Sequence, residues 1–150
     1  MTDEVEVERL YAELFEAAGA GRRLGEEIAA RTGHTQAQWQ TLWTIRTGPL
    51  TVPQIARRLG VSRQHVLRLT NELAREGLVR TASNPDHQTS RLLLLTPAGE
   101  DLLAQINAMA GVSNRKLLEE LTEADVDLLR SLLRRFTAIV KSTRIAESGT

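Results

Sequence analysis

Between Val52 and Arg80 the apolar positions recur at helical spacing in two short blocks, broken once at a glycine. Val52, Ile55, Ala56 and Leu59 form the first block and predict a short helix. Gly60 can take the positive φ needed to leave that helix, Val61 is expected to plug the core between two helices, and Ser62 can cap the next one. In the second block, steps of about 100° per residue put Val66, Leu69, Thr70 and Leu73 on one side. The opposite side carries Gln64, Arg68, Asn71 and Arg75. The pattern is a helix-turn-helix whose second helix turns a polar row outward.

Beyond it, Leu78 to Thr81 and Arg91 to Thr96 predict two short strands around the turn cluster Ser83-Asn84-Pro85-Asp86, and Pro97 opens another helix. A helix-turn-helix followed by a hairpin is a winged helix, placed at about residues 35–97. Upstream, Val5 to Ala30 reads as a long helix with Val7, Leu10, Tyr11, Leu14, Phe15, Ala18, Leu24 and Ile28 at mixed three and four spacing. Gly19, Gly21 and Gly25 either bend this helix or let another approach closely, and the pattern leaves both open. Thr35-Gln36-Ala37-Gln38 has the capping-box pattern; Trp39, Leu42, Trp43 and Ile45 follow as a buried stripe, and Gly48-Pro49 ends that helix.

Downstream, Pro97 to Leu121 predicts a long helix with Leu102, Leu103, Ile106, Met109, Ala110, Leu117 and Leu118 inward and Gly111 as a candidate kink. After a cap at Leu121 to Asp125, a last helix carries Val126, Leu128, Leu129, Leu132, Leu133, Phe136, Ile139 and Val140. That stripe is wider than one small domain can cover, which points to a second subunit. The expected fold class is mainly α with a small β-hairpin wing, a single domain of residues 1–150 with flanking helices at about 4–30 and 98–145 and a loose end at Ser148 to Thr150.

Arg, Gln and Asn side chains can make bidentate hydrogen bonds to guanine and adenine edges in the major groove, so the outward row has the chemistry of a recognition helix. In an isolated helix the same row would be an ordinary solvated face; the turn, the cap and the hairpin beside it argue for DNA. Formal net charge is zero, which at first opposes a phosphate-rich partner. Its distribution answers this. Residues 51–91 hold seven arginines against three carboxylates, net +4, while residues 1–50 carry −3 and 92–150 carry −1.

A hydrophobic content of 41% with 25% charged residues fits a folded globular chain. There is no cysteine, which excludes a disulfide, a thiol redox sensor and a thiolate metal site. No apolar run approaches the ~20 residues of a membrane span, and the acidic start MTDEVEVERLYAELF is unlike a targeting signal, so a cytoplasmic protein with no membrane partner is expected. His34, His65 and His87 fall on separate elements without ligand spacing. No nucleophile with a neighbouring base and no phosphate-cradling loop occurs, so neither an enzyme nor a cofactor or metal site is expected.

The run LTVPQIARRLGVSRQHVLRLTNELAREGLVR, followed by NPDHQTSRLLLLTPAGEDLL, resembles the MarR family of bacterial transcription factors. The likeness is strong from Leu50 to Leu103 and compatible from about Thr35 to the end. It implies a homodimer joined through its first and last helices, which binds a pseudo-palindromic double-stranded DNA operator with two recognition helices in successive major grooves. It further implies repression as the commoner outcome and modulation by a small aromatic or amphipathic effector. Family members that sense oxidants through cysteine are excluded as analogues. Candidate base contacts are Gln64, Arg68 and Asn71, with His65 at the edge; candidate backbone contacts are Arg57, Ser62, Arg63, Arg75 and Arg91. Tyr11, Trp39, Trp43 and Met109 are candidates to line an effector pocket between the dimer helices and the winged helix.

The wing departs from the family pattern. Members commonly carry Asp-Arg-Arg where this chain has His87-Gln88-Thr89, so the usual charged anchor into a narrow minor groove is missing. This motivates an alternative from another class: a winged-helix dimer that has lost operator binding and acts as a protein-interaction module. The retained Gln64, Arg68 and Asn71 argue against it, because a scaffold has no need of a groove-reading row.

Overall fold

In the computed structural model, which describes residues 3–143, the element order is α1 (Glu4–Ala30), α2 (Gln36–Ile45), β1 (Leu50–Thr51), α3 (Val52–Leu59), α4 (Arg63–Arg75), β2 (Val79–Ala82), β3 (Leu92–Leu95), α5 (Pro97–Glu120) and α6 (Glu123–Ser142). The expected helix end at residues 144–145 and the loose end at Ser148 to Thr150 lie outside the described residues. Backbone contacts divide the chain into two compact units, one ending at Ala110 and the other beginning at Gly111.

The first unit has one hydrophobic core. Leu42 and Ile45 of α2, Ile55 and Ala56 of α3, Val66 and Leu73 of α4, Leu78 and Val79, Leu93 of β3, and Leu102, Leu103, Ile106 and Ala110 of α5 are all buried in it. The helices that frame this core begin where polar side chains satisfy free backbone N–H groups. Thr35 with Gln38 and Thr51 with Gln54 form capping boxes, and Ser62 accepts from the His65 amide at 3.1 Å. Gly60, at φ +68°, closes α3 and turns the chain into α4.

Several expectations are corrected by the packing. The sheet has three strands in the order β1-β3-β2, because Leu50 and Thr51 pair antiparallel with Leu93 and Leu92. A two-residue strand has no alternation to read, so sequence patterning passed over it. Val61 is 40% exposed and fills no core position, since Ile55, Ala56 and Val66 already close the space between α3 and α4. Trp43 is 48% exposed with the Arg46 guanidinium 3.3 Å above its ring, whereas Trp39 is half-buried and its indole N–H donates to Asn107 Oδ1 at 3.0 Å. Thr41, Leu42 and Ile45 face inward, and at about 100° per residue Trp43 lies past the edge of that face.

In α1 only Gly25, Ile28 and Ala29 are buried; Val7, Leu10, Phe15 and Leu24 are exposed. Gly25 settles one open alternative, because a Cβ there would come within 2.6 Å of Gln36 Cγ, so this glycine permits close approach of α2. Gly21 meets nothing within 4 Å, and α1 runs unbroken. Leu117 and Leu118 of α5 are exposed, contrary to the inward placement expected, and α5 continues as helix through Gly111. Met109 is half-buried against the core.

In the second unit, α6 has no buried residue: Leu128, Leu129, Leu132, Leu133, Ile139 and Val140 are all at least 40% exposed. Its start is well defined. Thr122 accepts from the Asp125 amide, and the Asp125 carboxylate accepts from both the Thr122 amide and its hydroxyl.

Candidate nucleic-acid interface

Helix α4 is held from below by Val66, Leu69, Thr70 and Leu73, all buried, and so presents Gln64, Arg68, Asn71 and Arg75 to solvent. Its ends are tied down as well. At the C-terminus the α4 backbone hands over through Gly77, at φ +72°, and Thr96 Oγ1 donates to the Gly77 carbonyl at 2.6 Å. Two contacts that sequence reasoning missed join α4 to the elements before it. Gln38 Nε2 donates to Glu72 Oε2 at 3.3 Å, and His34 Nε2 lies 3.1 Å from Glu76 Oε1. Both span more than thirty residues, and no local pattern announces such pairings.

The candidate contact residues fall into three positions. Gln64, Arg68 and Asn71 stand together on the outward face of α4, and Arg63 and Ser62 stand at its N-terminal end. His65 is half-buried at the margin of that face, and Arg68 Nη2 lies 3.1 Å from His65 Nδ1. A guanidinium has donors only, so in this contact Arg68 is the donor. Through this contact His65 touches the outward row at Arg68. Arg75 donates through Nε to the Asn71 carbonyl at 3.4 Å.

The wing consists of β2 and β3, paired from Val79 with Leu95 to Ala82 with Leu92. At its turn the Asp86 amide donates to Asn84 Oδ1 at 3.0 Å, as the turn cluster predicts. His87 and Gln88 are exposed. His87 lines a cavity of about 510 Å³ whose walls also include Arg57 of α3, so a basic side chain of α3 and the wing turn border one space. Arg91, exposed at the base of β3, faces a second cavity of 450 Å³ between the wing and α4, shared with Asn71, Thr81 and Leu67. Leu67 was absent from the expected face and is 49% exposed.

Of the expected effector residues, Trp39 and Met109 both pack against the core, whereas Trp43 is exposed and Tyr11 lies further up α1. Trp39 lies 3.8 Å from a Cβ placed on Gly25, while Tyr11 is fourteen residues up α1, about 21 Å along the axis at 1.5 Å per residue. Tyr11 instead packs on Phe15, ring centroids 6.1 Å apart. A cleft of 670 Å³ opens elsewhere, between α1, α2 and the α3–α4 turn, with Arg22, Gln36, Gln40, Val61 and His65 on its walls. Among the described residues, no three His, Asp or Glu side chains converge as metal ligands, and no helix is long and apolar enough to cross a membrane.

Comparison with known proteins agrees with this geometry. The MarR family profile matches residues 32–88. An uncharacterized protein of Mycobacterium tuberculosis is 48% identical over 139 residues, covering 93% of this chain and 97% of its own length. The crystal structure of a MarR family transcription regulator, 26% identical, aligns over 92% of this chain and 97% of that one with a TM-score of 0.70. A mutant MarR from E. coli, solved complexed with operator DNA, shares the fold with a TM-score of 0.71 over 90% of this chain and 99% of that chain, at 24% identity. The winged helix is that of a DNA-binding transcription regulator, and the chain belongs to the MarR family.

Proposed function

We propose that the protein works as a homodimer on a pseudo-palindromic operator, each protomer laying α4 into a major groove, with repression as the outcome. The observation that carries this reading is the outward row of α4: Gln64, Arg68 and Asn71 are exposed together on a helix whose other face is buried, in the part of the chain where positive charge is concentrated. Gln64, Arg68 and Asn71 are the base contacts in this scheme. Ser62, Arg63, Arg57, Arg75 and Arg91 contact the backbone, and His65 positions Arg68.

Dimerisation is supported by the apolar surface left uncovered in each unit: Val7, Leu10 and Phe15 on α1, and the whole apolar stripe of α6. A small aromatic or amphipathic effector is best accommodated in the 670 Å³ cleft, because that cleft reaches His65 and through it Arg68. Tyr11, Trp39, Trp43 and Met109 do not line that cleft. The site of action is the cytoplasm.

The test is an electrophoretic shift with the DNA upstream of the protein's own gene, titrated with salt, followed by a reporter assay of the same promoter. A sequence-selective, salt-sensitive shift and derepression on deleting the gene are expected. No shift at any salt concentration would favour the interaction-module alternative.

A further inference from the structure

Leu67 stands half-exposed on the flank of the recognition helix that faces the wing, and nothing in its own core demands it there. Exposed leucines are common and one alone means little. Its position is what distinguishes it. At about 100° per residue, Leu67 lies about 40° from Asn71 and about 60° from Gln64, within the arc that faces outward. It is three residues after Gln64 and four before Asn71, so the three side chains form one contiguous strip. On the far side of Leu67 the 450 Å³ cavity separates α4 from Thr81 and Arg91 of the wing, where a DNA backbone passing between helix and wing would meet a cation.

A groove-reading strip made of polar side chains has one apolar member, and the major groove offers one apolar feature for it to meet, the C5-methyl group of thymine. We propose that Leu67 is a specificity-determining residue that selects thymine by packing on that methyl group, beside the base that Asn71 or Gln64 reads. The inference rests on the operator-binding reading above and adds a base preference that hydrogen-bonding residues do not supply. It also states a direction: demethylating one thymine in each half-site is felt by the protein only through Leu67.

The experiment starts from duplexes that the unmutated protein enriches from a random-sequence library. Each thymine of the enriched sequence is then replaced, one at a time, by deoxyuridine, which lacks only the methyl group. Burial of one methyl-sized group predicts that one replacement per half-site weakens binding about three- to fivefold. With Leu67→Ala, an exposed position where alanine suits a helix, the same replacement should change affinity by less than about 1.5-fold, while other positions behave as before. Circular dichroism and a thermal melt establish that this variant folds. Uridine-insensitive binding by the unmutated protein, or a uridine penalty that survives in Leu67→Ala, overturns the methyl contact and leaves operator binding standing. Failure to enrich any duplex overturns both readings.

Discussion

Arg68 and Arg57 differ in what each can recognise, although both are exposed arginines of the same winged helix. Arg68 projects from the outward face of α4 and is held by His65, an arrangement that favours one guanidinium orientation. Arg68→Ala should therefore cost about 1–3 kcal/mol of operator affinity and flatten preference at one base pair per half-site. Arg57 sits on α3 beside the wing turn, so Arg57→Ala should weaken all sequences alike and lower the salt slope. Unchanged base preference in Arg68→Ala would show that the reading face is elsewhere. At the wing, Gln88 is exposed and uncharged and releases no counterion. Gln88→Arg should tighten binding and steepen its salt dependence, more so on A·T-rich flanks where the minor groove is narrow. Equal salt slopes for the two proteins would mean that the wing stays off the DNA.

At the scale of elements, two glycines and one cap separate backbone strain, steric collision and titration. Gly60 ends α3 at φ +68° in open space, so Gly60→Ala is charged only the left-handed conformation, about 1–2 kcal/mol. Gly99, buried in the first turns of α5, is different: a Cβ there would collide with the Leu78 carbonyl, which is backbone and cannot swing aside. Gly99→Ala should thus lower the melting temperature more than Gly60→Ala does, and the reverse order would contradict the packing of α5 on the end of α4. Asp125 caps α6, and the Thr122 hydroxyl and amide hold its carboxyl below the ordinary value of 3.8. Because folding lowers this pKa, the cap contributes fully above pH 3.8 and loses its contribution as pH falls through the folded value. An acid titration of helicity should show Asp125→Asn to be flatter than the unmutated protein in that window; identical curves would dismiss the cap as a pH-dependent element.

For the molecule as a whole, the proposed assembly rests on the apolar stripe of α6, which is exposed along the helix. Leu132 is 48% exposed in the single chain, and Phe136 lies one turn further along the same helix. Replacing both with glutamate should give monomer or unfolded chain, because each charge would have to be buried in the proposed interface. Sedimentation of the unmutated protein should give a dimer, and its enriched operators should carry half-sites centred about one helical turn, ~10 bp, apart. A soluble folded monomer at micromolar concentration would remove the two-helix reading of the operator.

Local chemistry was legible without coordinates. Gly60, Ser62 and the Thr35 cap act on neighbours within four residues, and the inward face of α4 follows from a fixed angle per residue, so Val66, Leu69, Thr70 and Leu73 were readable as a group. Arg68 and its neighbours were readable as the complement of that face. What lay beyond the chain's local reach was decided by tertiary packing. Strand β1 exists only because β3 runs beside it; Gln38 meets Glu72 and His34 meets Glu76 only because α2 and the α1–α2 turn pack on α4. Periodicity also says that a residue is apolar without saying what covers it. Trp43, Val61 and Leu67 carry the same hydrophobic mark as Leu42, Ile55 and Val66, yet the first three are exposed and the last three are fully buried, since only the placement of neighbouring elements determines which apolar groups lose their water.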